Sequence, residues 1–207
     1  MAHWIFATHN PHKAREIAEL LAGVHEVSSL ADLDYHEPIP ETGATLEENA
    51  RIKADWVWER FGMPVFADDT GLEVEALGGA PGVHSARYAG EPADDARNRA
   101  RLLEALAEVP AGERRARFRT VICLRDASGT HFVEGVCTGS IAQAPLGSGG
   151  FGYDPIFIPD DGPAQGVTFA QLTSEEKNAI SHRGRAIRNL VARFLNETRD
   201  GAGHPVP

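Results

Sequence analysis

The chain has 207 residues, of which 42% are hydrophobic and 24% charged, proportions that suit a globular protein with a sizeable core. Its formal net charge of −10 argues against binding a nucleic-acid polymer, because phosphate contacts need clustered lysine and arginine. A small anionic ligand remains compatible if a metal ion or a few local cations offset the repulsion.

The two cysteines and the absence of long apolar runs bear on location. The first residues form no signal peptide, and no later segment is long enough to span a bilayer, so we expect no membrane association. Cys123 and Cys137 lack metal-ligand spacing, and we interpret them as reduced core residues, with a disulfide as the alternative. These features predict a cytoplasmic protein.

The chain begins with a predicted strand at residues 3–7. A helix should follow, because Asn10 can serve as its N-cap and Pro11 suits the first helical position. Gly23 is expected to end that helix.

A proline-marked loop leads to a second predicted helix. Thr45 and Glu48 form the pattern of a capping box, and the helix should continue to about Arg60. Its inward stripe is predicted to hold Leu46, Asn49, Ala50, Lys53, Ala54 and Val57.

The remaining elements are predicted from apolar periodicity and turn residues. Residues 64–68 should form a short buried strand, and a helix should run from about residue 93 to 107. Residues 116–125 and 130–141 should form an antiparallel hairpin, because DASG joins them. A glycine loop runs into another strand, a second capping box begins at Thr173, and a last helix is predicted from residue 181 to 196. Together these elements indicate a mixed α/β (α+β) fold.

Asp68 and Asp69 follow an apolar run, and this arrangement is shared by several chemistries. The triplet that begins at Asp69 is that of aspartic proteases, but those enzymes need two such triplets and the chain has one. A phosphatase motif needs Asp-x-Asp, whereas neighbouring side chains of an extended segment point to opposite faces. A metal site and simple capping of the following turn both remain open.

Two other sequence patterns combine a lysine with polar side chains near the start of a helix or along its inward face. Asn49 and Lys53 lie one turn apart on the inward stripe of the second helix, although a lysine there can also extend to water. Thr8, Asn10 and Lys13 surround the start of the first helix, and free N–H groups at such a start attract anions. The two patterns together favour a site for phosphate and metal.

The segment GSGGFG, residues 147–152, matches the spacing of a dinucleotide fingerprint but not its context. A fingerprint lies between a strand and a helix, whereas this segment runs into YDPIFIP. We expect the glycines to let Phe151, Tyr153 and Asp154 face a ligand.

His182 and Arg183 open the last predicted helix, with Ser181 as its N-cap. Positive side chains are disfavoured at a helix N-terminus. Such a local conflict is typical of a binding site, while a solvated first turn is the alternative.

Five segments in order resemble the Ham1-like inosine/xanthosine triphosphate pyrophosphatases. They are FATHNPHK, PETGATLEENARIKA, FADDTGLEVEALGGAPGVHSARYAG, GGFGYDPIFIP and LTSEEKNAISHRGRAI. The resemblance implies a two-lobed fold around a long mixed sheet, with a ligand cleft between the lobes. It also implies one domain over residues 1–196 and a homodimer. The composition of the tail at 197–207 predicts that it is disordered.

The implied reaction is hydrolysis of ITP, dITP and XTP to the nucleoside monophosphate and pyrophosphate. The implied cofactor is Mg²⁺, with Mn²⁺ as a possible substitute. The alternatives are a non-catalytic nucleotide-binding or sensor protein and a pyrophosphatase for other modified nucleotides.

The resemblance also implies roles for individual positions. The implied metal ligands are Glu41 and Asp69, with Asp68 as an alternative or supporting ligand. The implied catalytic residues are Asp69, as proton acceptor, and the cations Lys13 and Lys53. The implied substrate-binding residues are Thr8, His9, Asn10, Pro11, His12, Lys13, Asn49, Thr70, Phe151, Gly152, Tyr153, Asp154, Lys177, His182 and Arg183.

Within that set, the residues from position 151 onward would contact the base and sugar. Lys177, Arg183 and a doubly protonated His182 can only donate hydrogen bonds, so they would favour a base with a carbonyl oxygen at position 6. The loop departs from the family at His9, Pro11 and His12, where small residues are common.

Overall fold

The computed structural model describes residues 3–23 and 25–195. The strands are β1 (His3–Phe6), β2 (Glu26–Ser29), β3 (Val65–Val74), β4 (Pro81–Gly82), β5 (Arg115–Asp126), β6 (Gly129–Ile141) and β7 (Phe157–Pro159). The helices are α1 (Pro11–Leu21), α2 (Leu46–Phe61), α3 (Asp95–Ala105), α4 (Ser174–Ile180) and α5 (His182–Leu190). A π-helical turn, Val191–Leu195, follows α5.

The strands form one mixed sheet with the order β2-β1-β3-β5-β6-β7, and β4 pairs with β3 outside that order. Strand β1 is parallel to β2 and β3, whereas β3, β5, β6 and β7 are antiparallel to one another in turn. The predicted mixed α/β class is therefore confirmed.

Side chains of each strand alternate between two buried layers. Phe66 and Ile122 pack against α1 and α5 on one face, while Val65 and Val121 pack against α2 on the other. A third cluster joins α3 to β5, β6 and β7. The fold thus has two lobes, one around β1 and α2 and one around β7 and α3.

The helix ends follow the predicted capping chemistry closely. Asn10 accepts hydrogen bonds from the backbone N–H groups of His12 and Lys13, and Pro11 is the first residue of α1. The Thr45 side chain accepts from the N–H of Glu48, which is half of the predicted capping box. The Glu48 carboxylate accepts from the N–H of Ala44 and not from that of Thr45, so the second half is absent.

Several boundaries differ from the sequence predictions. Strand β3 does not end at Asp68 but continues to Val74, because it pairs with β5 over its whole length. Strands β2 and β4 were not predicted, and α3 is shorter than expected at both ends. Helix α5 ends at Leu190. The predicted end at Asn196 and the predicted tail at 197–207 lie outside the described residues.

Both cysteines are buried and free, as predicted. Burial raises the pKa of the Cys123 thiol to about 12 and that of Cys137 to about 12. Among residues 3–23 and 25–195, no helix is long and apolar enough to cross a membrane.

Helix α5 lies close to β6 because residue 135 is glycine. A Cβ atom at this position would collide with the backbone of His182 and of Ala186. The absent side chain therefore fixes how deeply the start of α5 enters the fold.

We expect Gly135→Ala to destabilise the protein by about 1–3 kcal/mol, the usual cost of overpacking, and so to lower Tm by several degrees. Gly112→Ala is the matched control, since a Cβ there meets nothing within 4 Å. Thermal unfolding followed by circular dichroism measures both. Equal melting of the two variants would contradict the close packing of α5.

Candidate active site

A cleft of about 400 Å³ lies between the two lobes. It is lined from one side by the turn after β1, α2 and β3, and from the other by the glycine loop, α4 and α5. The predicted site residues that line it are Thr8, His9, Asn10, Lys13, Glu41, Lys53, Asp69, Thr70, Phe151, Gly152, Tyr153, Asp154, Lys177, His182 and Arg183. The predicted residues outside this lining are Pro11, His12, Asn49 and Asp68.

Lys53 bridges the two acids on the α2 side of the cleft. Its Nζ lies 2.9 Å from Asp69 Oδ1 and 2.9 Å from Glu41 Oε1. Burial disfavours the charged form of this lysine, but the Asp69 and Glu41 carboxylates outweigh it and raise the pKa of Lys53. The ammonium group is therefore a fixed positive charge between two acids.

Asn49 of α2 also contacts this group of charged side chains. Its Nδ2 donates to Asp69 Oδ2 at 3.3 Å, and its Oδ1 accepts from the Gly43 N–H at 2.8 Å. One amide therefore positions Asp69 and also the loop that carries Glu41.

Asp68, the alternative metal ligand, does not join Glu41 and Asp69. Asp68 points to the opposite face of β3 from Asp69, as alternation along a strand requires. Within the described ranges, no group of three or more His, Cys, Asp or Glu side chains is arranged to hold a metal ion. The pair Glu41 and Asp69 still fits Mg²⁺, which is usually held by one or two carboxylates with phosphate oxygens and water.

Asp68 is instead an interior acid, with 1% of its surface exposed. Its Oδ1 accepts from Lys13 Nζ at 3.0 Å, and its Oδ2 accepts from Arg183 Nη2 at 3.2 Å and from Thr70 Oγ1 at 3.1 Å. Burial alone would raise the pKa of Asp68, but the charges of Lys13 and Arg183 hold it well below its usual range. Asp68 thus stays ionised and fixes the two cations.

Arg183 is 2% exposed, and its guanidinium is committed to protein partners. Besides Asp68, it donates to Glu16 and, at 3.3 Å, to Thr70 Oγ1. Each of its three nitrogens already has an acceptor. This arrangement favours a role in supporting the cleft over direct donation to a base.

Glu16 is a central residue that the sequence predictions missed. It accepts from Lys177 Nζ at 2.6 Å and from Arg183, so it ties α1 to α4 and α5. Burial opposes its ionised form, but Arg183 and Lys177 lower the pKa of Glu16. Its position three residues after Lys13, on the same face of one helix, is the signal that could have identified it.

Phe151 forms the aromatic wall of the other side. The ring lies 4.9 Å from Lys177 Nζ and stacks on His12 at a centroid distance of 5.2 Å. Asp154 accepts from the Phe151 N–H at 2.8 Å and from Lys177 Nζ at 2.7 Å. Burial raises the pKa of Asp154, although Lys177 opposes the shift.

His182 is buried and stacks on Phe118 at a centroid distance of 4.4 Å. Burial, followed by the charges of Arg183 and Lys177, holds the pKa of His182 well below its usual value. The prediction of a doubly protonated His182 is therefore wrong. Its Nδ1 is buried without a hydrogen-bond partner among the described residues, and a neutral imidazole has one donor and one acceptor nitrogen.

Two charged residues of the lining were not singled out from the sequence. Arg87 lies 3.6 Å from Glu41 Oε2 in an ion pair, and Asp95 reaches the cleft from α3. Both are brought there by long-range folding, and no local spacing indicates them.

Several known proteins are similar in sequence to this chain over nearly its whole length. A dITP/XTP pyrophosphatase of Porphyromonas gingivalis is 54% identical over 190 residues, covering 92% of this chain and 96% of its own. One from Geobacillus kaustophilus is 50% identical and covers 92% and 93%.

Solved structures agree in sequence and in fold. A HAM1 protein from Coxiella burnetii is 41% identical with a TM-score of 0.83, covering 95% of this chain and 100% of its own. A nucleoside-triphosphatase / dITP/XTP pyrophosphatase from Mycobacterium abscessus is 45% identical with a TM-score of 0.71, covering 91% and 98%. A sequence profile of the Ham1 family matches residues 4–193, and the chain therefore belongs to the Ham1 family.

Proposed function

We propose that the protein hydrolyses non-canonical purine nucleoside triphosphates, namely dITP, ITP and XTP, to the nucleoside monophosphate and pyrophosphate. The observation that carries this proposal is the array of Glu41, Lys53 and Asp69 facing the start of α1 in one cleft. The names of relatives at about half identity support the substrate class.

The triphosphate would lie along the α2 side of the cleft. The loop from Thr8 to Lys13 leads into α1, and the dipole of that helix favours anions at its start. The contribution is that of the dipole and the lysine side chains, because Asn10 already accepts from the His12 and Lys13 N–H groups. Lys13 and Lys53 offset the phosphate charge, and the α phosphorus would lie within reach of Asp69. The other residues of this loop would complete the binding surface for the triphosphate. They are His9, Asn10, Pro11 and His12.

Glu41 and Asp69 would hold Mg²⁺, or Mn²⁺ in its place. A bound divalent ion supplies charge neutralisation on the phosphate oxygens. Asp69 has a further role, which is to accept the proton of the water that attacks phosphorus. Asn49 holds the Asp69 carboxylate in position for that role. Asp68 would act on the reaction only indirectly, by positioning Lys13.

The base and sugar would lie against Phe151, Gly152, Tyr153, Asp154, Lys177 and His182. Lys177 can donate hydrogen bonds but not accept them, which favours a purine with a carbonyl group at position 6 over one with an amino group there. A neutral His182 adds a group that can donate or accept. Thr70 and Arg183 would shape the floor of this pocket.

We also propose that residues 1–196 form a single two-lobed domain that works as a homodimer. A cytoplasmic location fits the two buried, free thiols.

The products of ITP hydrolysis test the reaction. We expect IMP and pyrophosphate in equal amounts, because attack at the α phosphorus breaks the bond between the α and β phosphates. Ion-exchange chromatography of reactions with the pure protein and Mg²⁺ separates the products. Steady formation of IDP and orthophosphate would refute this bond choice, and binding without turnover would favour a sensor.

Asp69→Asn tests the assigned proton acceptor. The change keeps the side-chain volume but removes the charge, so we expect kcat for ITP to fall by at least about 10²–10⁴-fold. The protein should still unfold cooperatively, because Glu41 continues to neutralise Lys53. Asp55→Asn, an acid paired with Arg51 elsewhere on α2, is the control and should keep nearly full turnover. Turnover of Asp69→Asn within a few-fold of the parent would move the role to another acid.

The homodimer is tested by mass in solution. Light scattering at micromolar concentration should give about twice the chain mass of 22.3 kDa. A value near the single-chain mass would exclude a stable dimer under those conditions.

A further inference from the structure

Helix α3 holds the backbone of Gly152 from both sides. Asp95 Oδ2 accepts a hydrogen bond from the Gly152 N–H at 2.7 Å, and Arg99 Nη1 donates to the Gly152 carbonyl oxygen at 2.6 Å. The two side chains are four residues apart, so they project from the same face of α3. We refer to Asp95 and Arg99 as the Gly152 clamp.

The position of the clamp matters because Gly152 is the glycine of the cleft lining. Its φ of 59° lies in the left-handed region, which glycine enters and leaves at little cost. Phe151 precedes it and forms the aromatic wall, and Tyr153 follows it, with its hydroxyl on the Ser85 carbonyl at 2.8 Å. The clamp fixes the peptide groups on both sides of Gly152, and so restricts where Phe151 can lie.

The anchor for this contact is rigid. Leu102 of α3 and Leu106 just beyond its end are fully buried in the cluster that contains Phe157. Asn98, from the same helix, is 2% exposed and binds the Ala89 N–H at 2.7 Å and the Ala86 carbonyl at 2.9 Å. A clamp built on this helix therefore moves little relative to the second lobe.

We propose that Asp95 and Arg99 are positioning residues that act through Gly152 to preorganise Phe151 for the nucleoside half of the substrate. The inference rests on the proposed function for the nature of that substrate. Neither side chain has to touch the phosphates, which bind near Lys13 and Lys53. Preorganisation of a binding surface lowers the ordering cost of association, so the clamp should affect substrate binding more than the chemical step.

The test measures kcat and KM for ITP in Asp95→Ala, Arg99→Ala and the double variant. We expect KM to rise about three- to tenfold in each single variant, with kcat changed less than about threefold. Asp95→Asn should restore most of the loss, because the amide oxygen can still accept the Gly152 N–H.

Two controls separate the clamp from general damage to α3. Arg97 also donates to a backbone carbonyl, that of Pro92 at 2.7 Å, but away from the glycine loop. Arg101 of α3 lies over the Tyr88 ring at 5.0 Å, so Arg101→Ala removes a contact of the same helix without removing the clamp. We expect both control variants to keep the parent KM.

Inhibition by inorganic tripolyphosphate provides a further measurement. This compound has no nucleoside, so it should occupy only the part of the cleft that binds the triphosphate. Its inhibition constant should stay within about twofold in all clamp variants. The proposal is overturned if the clamp variants match Arg97→Ala, if tripolyphosphate inhibition weakens in parallel with ITP, or if Asp95→Asn is as impaired as Asp95→Ala. Turnover of ITP by the parent protein decides the proposed function separately.

Discussion

The alternation of side chains along β3 determines how charge is distributed in this protein. Asp68 and Asp69 are adjacent in sequence, yet one faces α1 and α5 while the other faces α2. Each carboxylate therefore receives its own lysine, Lys13 or Lys53, from a different helix. The cleft lies where these two layers meet, so both cations can face a single ligand without competing for one acid.

Acids and cations are balanced in number in both layers, but the two layers differ in how far their charges are buried. On the α1 and α5 side, three acids, Asp68, Glu16 and Asp154, face three cations, Lys13, Arg183 and Lys177. Asp68, Asp154, Arg183 and Lys177 are buried, and Lys13 and Glu16 are partly buried. Removal of one member would leave an uncompensated charge in a low-dielectric interior. This network is therefore a rigid frame for the cleft.

On the α2 side, Glu41 and Asp69 face Lys53 and the more exposed Arg87. A triphosphate that entered this balanced group would bring several negative charges of its own. Since the protein supplies few further cations there, the balance favours a divalent ion that arrives together with the substrate.

Local signals in the sequence were sufficient for the helices and for the inward position of Asn49 and Lys53, whereas most candidate site residues came from the family resemblance. All six residues of the predicted inward stripe of α2 are buried, including Asn49 and Lys53. The end of β3 was misjudged because Gly71 resembles a turn residue. Its glycine is needed for another reason, since a Cβ there would lie 2.7 Å from the Gly82 carbonyl oxygen of β4. That contact, like those of Glu16 and Asp95, joins distant parts of the chain, and no local pattern encodes it.

Because both cysteines are buried, their thiols should react slowly with labelling reagents. With a thiol pKa of about 12, only roughly one Cys side chain in 10⁵ is a thiolate at neutral pH. Maleimide and iodoacetamide reagents react with thiolates, so they should leave the native protein almost unlabelled. A cysteine introduced at the exposed Ser148 would then carry a fluorophore on the glycine loop without background, and the movement of that loop could be followed directly in solution.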